Sequence, residues 1–260
     1  MNKLAAGWRI QRRVIGALMI RELITRFGRE NIGFLWIMVE PLLFATLVGV
    51  VWRFMKGPEE HGVSIVAFVA TGYIPLTFFR HCLTRSVKIF SVNGSLLYHR
   101  QVLVFDLILT RFLIEVIGAM MAYFVIAIVL ISLNDFPIPA DMGIFFIGWA
   151  LYCFFVLSLC LILAPLSEMS EVLEKFIPVV TYITIPFSGC FNMVSWLVPG
   201  AQAVVHFSPF VQAMEMMRQG IFGGRVNAIW DASVPIVATL ILTPIGLAMC
   251  RRIRSRLVVE

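Results

Sequence analysis

Charge is scarce in this sequence. Only 14% of its 260 residues are Asp, Glu, Lys or Arg, while 60% are hydrophobic. That excludes an ordinary soluble domain, because most of the apolar surface would have nowhere to go in water. Phosphate-loop lysines are missing as well. The four lysines follow Asn2, Met55, Val87 and Glu174, so no Gly-Lys-Ser/Thr loop exists and the chain cannot hold ATP in that manner. Neither His-Glu-x-x-His nor Gly-x-Ser-x-Gly occurs, which removes the commonest zinc hydrolase and nucleophile-elbow chemistries. His61, His81, His99 and His206 are far apart and suggest no ligand set, so no metal is expected. The five cysteines form neither a disulfide framework nor a metal spacing; Cys153 and Cys160 stand two helical turns apart in one apolar segment and read as packing. No group of charged or nucleophilic residues gathers at one depth, so no catalytic residue is assigned.

What is present is a series of apolar segments. Six of them, 32–52, 63–79, 112–133, 143–163, 176–190 and 233–250, are read as transmembrane helices. Residues 1–31 precede them as a basic amphipathic helix. Leu4, Trp8, Ile15, Leu18 and Met19 share one face, and Ile20, Leu23, Ile24 and Phe27 another, with Arg9, Arg12, Arg13, Arg21, Arg26 and Arg29 on the charged side. Such a helix suits a headgroup region; a helix packed on a soluble partner is the alternative. A run this long and Arg-rich is not a signal-peptide n-region. The expected fold is therefore an all-α integral membrane protein of one domain, 1–260, with a tail at 251–260.

Lysine and arginine set the orientation. Six spans put both termini on one side, and that side carries sixteen basic residues against four opposite, Arg53, Lys56, Arg218 and Arg225. Both termini are expected to be cytoplasmic. The basic balance thus reports topology and implies no nucleic-acid partner. Residues 55–62 and 134–142 become short external loops. The cytoplasmic stretch 80–101 reads as two short helices about Asn93-Gly94, with Ser95 as an N-cap. Glu168, Glu171 and Glu174, beside Lys175, read as a solvated helix face.

Few ionisable residues remain at membrane depth. Arg111 and Glu115 stand at i, i+4 and are expected to pair with each other. Glu40 precedes Pro41 and is left open between a backbone acceptor, a helix partner and a hydrated path. The stretch 187–223 is too apolar for a loop and too broken for a span. It divides into a short helix Phe191–Val198, ended by Pro199-Gly200, and a second, Phe210–Phe222, entered at Pro209 and apolar along Phe210, Met214, Met217 and Ile221. Glu215 and Arg218 at i, i+3 suggest a pair, so reversing both charges is expected to restore more transport than reversing either.

Two runs carry a resemblance. Thr25–Leu43, TRFGRENIGFLWIMVEPLL, is similar to the first-span entry of ABC exporter permeases through Arg26, Gly33, Trp36 and Pro41. Phe207–Gly223 resembles a second hallmark of that superfamily through Ser208, Pro209, Phe210, Glu215, Arg218, Phe222 and Gly223. The branch it most resembles is the capsular-polysaccharide export permeases, the polysialic-acid or group 2 type. That resemblance implies a homodimer in the bacterial inner membrane, working with two separate ATPase subunits that hold ATP and Mg, and no cofactor on this chain. It implies a coupling segment with Ile89, Phe90, Asn93, Leu96 and Leu97 against the ATPase. Re-entrant external gate helices at 191–223 would lie between spans 5 and 6, with Trp196, Pro199, Pro209, Phe210, Glu215 and Arg218 as gate residues. The cargo would be an acidic, lipid-terminated polysaccharide, handed to a periplasmic or outer-membrane conduit. Trp36, Glu40, Tyr73, Trp149, Tyr152 and Tyr182 are candidates for its path, against the alternative that the aromatics form interfacial belts. O-antigen or teichoic acid export fits the same superfamily; ion-coupled secondary transport through Glu40 and Glu115 is the rival from another class.

Overall fold

The computed structural model describes residues 3–28, 32–97 and 101–257, without the side chains of 3, 4, 6, 27, 32–34, 37, 95, 171 and 255–257. Expectations resting on Arg29, His99, Arg100 and the side chains of Leu4, Phe27, Ser95, Glu171 and Arg256 lie outside the described residues. In chain order the helices are α1 (Lys3–Phe27), α2 (Ile32–Lys56), α3 (Ile65–Ser86), α4 (Ile89–Val92), α5 (Gly94–Leu97), α6 (Val104–Ser132), α7 (Met142–Met169), α8 (Glu171–Ile183), α9 (Pro199–Val205), α10 (Pro209–Phe222) and α11 (Ser233–Leu257). A two-residue ladder, β1 (Glu59–Glu60) with β2 (Val63–Ser64), turns through His61 and Gly62, both at positive φ, as a tight hairpin requires.

Among the described residues, five helices are long and apolar enough to cross a membrane: Met38–Lys56, Ile65–Ser86, Val104–Ser132, Met142–Met169 and Ser233–Arg254. The expected fifth span, 176–190, differs. It is built from α8, 13 residues long, and a 3₁₀ turn at Ile185–Phe187. Pro178 and Pro186 explain the interruption, since each removes a helix donor. Thirteen residues reach only about 20 Å, short of the roughly 30 Å hydrocarbon layer. Even so, Glu174 near its start pairs with Lys88 just beyond α3, while Cys190 past its end lies against Gly72. The segment therefore passes along α3 from Gly72 to beyond Ser86, about 21 Å at 1.5 Å per residue.

The other corrections are extensions. Helix α3 runs on to Ser86, into the cytoplasmic stretch read as two short helices, and α6 begins at Val104 rather than 112. At 29 residues α6 measures about 43 Å, longer than a bilayer core. Some of its turns must therefore stand clear of hydrocarbon; Arg111 and Glu115 lie about two and three turns from its start. Likewise α7 continues through Pro165 to Met169 before breaking at Ser170, which caps α8.

Helix α7 is the centre, flanked by α11, α10, α3 and α8. Prolines within the spans orphan a carbonyl one turn earlier, and neighbouring side chains take these groups up. Pro75 leaves Thr71 O without its helix donor, and the buried Tyr123 hydroxyl donates to it at 3.3 Å. The Tyr152 hydroxyl donates to Pro75 O at 3.0 Å. Pro165 frees Leu161 O, which accepts from the Cys250 thiol at 3.5 Å. Helices α2 and α11 keep outward apolar faces, including Leu43, Leu47 and Phe54 on one and Leu240 and Ile241 on the other.

Candidate functional site

Two polar constructions stand out in this apolar frame, one at each end of the bundle. The first lies where α1 crosses α6. Gln11, Glu22 and Arg26 meet Asp106, Arg111 and Glu115 in that order. Gln11 Nε2 donates to Asp106, whose carboxylate also caps α6 through Leu103 N at 2.9 Å. Arg111 Nε pairs with Glu22 Oε1 at 2.9 Å, and its Nη1 donates to Arg85 O at 2.7 Å. Glu115 is the hub, only 3% exposed. Its Oε1 takes Arg26 at 2.6 Å and Arg85 at 3.1 Å, and its Oε2 lies 3.4 Å from His81 Nδ1. His81 Nε2 is in turn 3.4 Å from Glu40. The expected Arg111–Glu115 pair therefore does not form. Partners from α1 and α3 supply better-placed charges than the neighbour one turn away, whose side chain points to Glu22. Glu40 ends the chain as the partner of His81.

The same network roots the coupling stretch. Asn93 is buried, donates to Ile89 O at 2.9 Å, and accepts from Arg21 at 2.9 Å. Ile89, Phe90 and Leu97 are also buried, and Leu96 is half-buried. The two short helices form as the sequence indicates, but the residues chosen as a docking face mostly point inward. A four-residue helix has too little surface to stand alone, so its apolar side anchors it on α6 and α7. Ser91 and Val92 are what it presents outward. Lys88 sits at φ 54 and reaches Glu174 at 2.7 Å, so one of the three-spaced carboxylates is a tie between segments.

The second construction is the hairpin that contains α10. Pro199 opens α9 instead of closing a helix, as suits its missing N–H and fixed φ; before it stands only a 3₁₀ turn, Val194–Trp196. Pro209 opens α10 as expected. Helix α10 is buried on nearly every side, against α7 above all, and not only along Phe210, Met214, Met217 and Ile221. Close approach depends on glycine: a Cβ on Gly148 would meet Met216 Cβ at 2.9 Å, and one on Gly220 would meet Phe145 N at 2.6 Å.

Arg218 is fully buried. It donates to Gly189 O at 2.6 Å, to Asn192 O at 3.1 Å and to Cys190 O, and its guanidinium lies 3.9 Å over the Phe68 ring. Glu215 accepts from Val194 N and from Ile229 N, each at 3.0 Å. No ion pair joins Glu215 to Arg218 among the described residues. Each satisfies backbone groups that broken helices leave open. Gln212 and Gln219 do likewise: Gln212 Oε1 accepts from Asp231 N at 2.6 Å, and Gln219 accepts from Trp230 Nε1. Asp231, exposed in the loop, is hydrogen-bonded by Ser233, which holds its carboxyl below the usual range. The double charge reversal is accordingly expected not to rescue transport. A guanidinium at 215 would face two N–H donors, and a carboxylate at 218 three carbonyls. Recovery above both single reversals in an export assay would contradict this geometry.

A further expectation concerns Gly72. A Cβ there would press on the Cys190 carbonyl and lie 2.5 Å from Arg218 Nη2. Gly72→Ala should cost about 1–3 kcal/mol by overpacking and lower the detergent melting temperature. Gly200→Ala, which meets nothing within 4 Å, serves as the control; equal melting of the two variants would refute the close approach.

The aromatic candidates separate. Trp149 and Tyr152 are buried, stacked 6.4 Å apart within the core, and Tyr152 spends its hydroxyl on Pro75. Both pack inside the core of the chain, not on an open surface. Trp196 stacks on His61 at 4.4 Å and Phe68 at 4.7 Å. Phe210 packs edge-on against Phe79 at 4.6 Å and Phe155 at 4.8 Å. Trp36 and Tyr182 are exposed, Tyr182 beneath the Arg80 guanidinium at 4.1 Å, and Tyr73 is half-buried. Sequence reasoning missed Glu22, His81, Arg85, Asp106, Gln212 and Gln219 as organising residues. Apart from the local bonds of Asp106 to Leu103 N and of Gln212 to His206 O, their partners come from other segments, so spacing offered little signal.

A mostly helical chain with a charge-stapled entry helix, several helices able to cross a membrane and a buried, backbone-capping hairpin is consistent with an integral membrane permease. The match to known proteins agrees: residues 13–222 fit the ABC-2 type transporter family, and the chain belongs to it. Among its relatives is the capsule polysaccharide export inner-membrane protein CtrC of Neisseria meningitidis serogroup B, 41% identical over 240 residues, covering 92% of this chain and 91% of the relative. The capsule polysaccharide export inner-membrane protein BexB of Haemophilus influenzae is 36% identical over 242 residues, 93% and 91% of the two chains. The polysialic acid transport protein KpsM of Escherichia coli is 22% identical over 247 residues, 95% of each.

Proposed function

We propose that this chain is the transmembrane permease of an ATP-driven exporter that moves capsular polysaccharide from cytoplasm to periplasm across the bacterial inner membrane. The observation that carries the reading is end-to-end similarity, at 41% and 36% identity, to two capsule polysaccharide export inner-membrane proteins. With no phosphate loop in the sequence, ATP and Mg belong to a separate nucleotide-binding subunit present in two copies. The permease acts as a homodimer, its exposed apolar faces on α2 and α11 being the surfaces available to lipid or a second copy. It crosses the bilayer six times, α8 and the turn after it forming a short fifth passage, and both termini are cytoplasmic by the distribution of Lys and Arg. The ATPase docks on the α4–α5 corner through Ser91 and Val92, while α9 and α10 form the external gate. The cargo is acidic and lipid-terminated, and leaves toward a periplasmic or outer-membrane conduit.

Deletion of the gene, followed by staining for capsule and for lipopolysaccharide, tests the reading. Loss of capsule with intact lipopolysaccharide is expected. Loss of O-antigen or teichoic acid instead would move the chain to another polymer of the same superfamily. Flux by the purified chain alone, driven by a proton gradient without ATPase, would replace the reading by secondary transport.

A further inference from the structure

The charge lattice encloses a cavity of about 290 Å³ between α1, the end of α3, α4 and the start of α6, lined by Arg21, Glu22, Thr25, Arg26, Arg85, Val92, Asn93 and Arg111. That volume is near the lower end of small-ligand sites, roughly 300 Å³. Four guanidiniums converge here. Among the described residues two carboxylates stand against them, Glu22 in the lining and Glu115 behind it, so guanidiniums outnumber carboxylates there. Glu40 and His81 face each other outside the lining. Like charges held this close are unfavourable in a partly desolvated site unless an anion completes the set. Arg21 donates to the neutral amide oxygen of Asn93 and pairs with no carboxylate among the described residues, so its charge is the least matched.

Beside the cavity, Ile20 and Ile24 project outward from α1 and are exposed, flanking Arg21 and Thr25. Cationic forks next to apolar footing suit one ligand chemistry: a phosphate carried on an acyl-chain lipid. We propose that this cavity is an anion site for the phosphate of an anionic lipid headgroup, which clasps the interface helix α1 to the α4 corner. The phosphate bridges Arg21 to Arg85 and Arg111, and the acyl chains lie along Ile20 and Ile24. The site is independent of the export reading, since it concerns this chain's own residues and needs no cargo.

The full chain, purified in a neutral detergent, is titrated with dioctanoyl-phosphatidylglycerol, dioctanoyl-phosphatidylcholine and inorganic phosphate, with retained ligand read by native mass spectrometry. Phosphatidylglycerol should be retained and phosphatidylcholine not. Arg21→Gln should weaken retention about tenfold, the worth of one charge-assisted hydrogen bond, without lowering the melting temperature. Glu22→Gln should retain the lipid at least as well as the wild type, because it raises the positive excess. Competition by inorganic phosphate at equal concentration would keep the phosphate site but assign it a soluble source; no competition assigns it to the bilayer. Equal retention of phosphatidylcholine, an unaffected Arg21→Gln, or losses as large in Glu22→Gln as in Arg21→Gln would overturn the proposal. The last result would reduce the cavity to a structural lattice. Because the readout is binding, it is unaffected by whether the chain exports capsule.

Discussion

Arg218→Met is expected to abolish export and to destabilise the folded permease by about 3–5 kcal/mol, as removal of one partner from a buried charged network does. Methionine fills similar space, so lost packing is not the cause. What disappears are the donors to the carbonyls of Gly189, Cys190 and Asn192, in a stretch where the chain has left one helix and not begun the next. Each stranded carbonyl costs about 1–3 kcal/mol when water cannot reach it. Glu215 would also remain, buried, without the nearby positive charge. Arg218→Lys should fall between, because a single ammonium cannot present a planar fork to several carbonyls. The check is a detergent melting curve together with surface capsule in a complemented deletion strain. A methionine variant that melts and exports like the wild type would show that Arg218 is not the clasp described.

Glu115→Gln is expected to free α1 from the bundle. The change leaves Arg26, Arg85 and His81 around an uncharged amide. Full burial would put the cost at the scale of a broken buried pair; discounted for the one-third exposure of Arg85, it is about 2–3 kcal/mol. Opening of α1 should then be favoured by roughly 30-fold or more, seen as faster trypsin cleavage after the arginines of that helix. Glu115→Gln with Arg26→Gln should recover part of the loss by removing one of the unmatched cations. Cleavage unchanged in the single variant would mean that α1 is held by its other contacts, among them Glu22–Arg111 and Gln11–Asp106, and not by Glu115.

Much of this architecture could be read before any coordinates. The apolar runs located five helices, though with ends off by up to eight residues, Pro209 marked the start of α10, and the Asn93-Gly94 break separated α4 from α5. The misreadings share a cause. The helix within 176–190 is shorter than its apolar residues suggest, because α8 stops at Ile183 and a 3₁₀ turn carrying Pro186 follows. The Phe191–Val198 helix took Pro199 as a stop, although at the first position of a helix proline is a start. Arg111 with Glu115, and Glu215 with Arg218, looked like pairs because they are neighbours on one helix. Local spacing gives such pairs only a few tenths of a kcal/mol, and a desolvated partner on another segment outweighs that easily.

Membrane residence, the lack of a nucleotide site, the basic entry helix and the broken late segment were therefore determined by the sequence itself, since each follows from composition or local spacing. The tertiary structure decided where every charge goes. Glu115 became a hub because α1 and α3 bring Arg26, Arg85 and His81 to it, and Arg218 became a cap because Gly72 lets Cys190 approach. Trp149 and Tyr152 turned inward because α10 packs against α7 and closes the space beside them. Such assignments depend on segments far apart in the chain meeting in a medium that leaves polar groups no water to turn to.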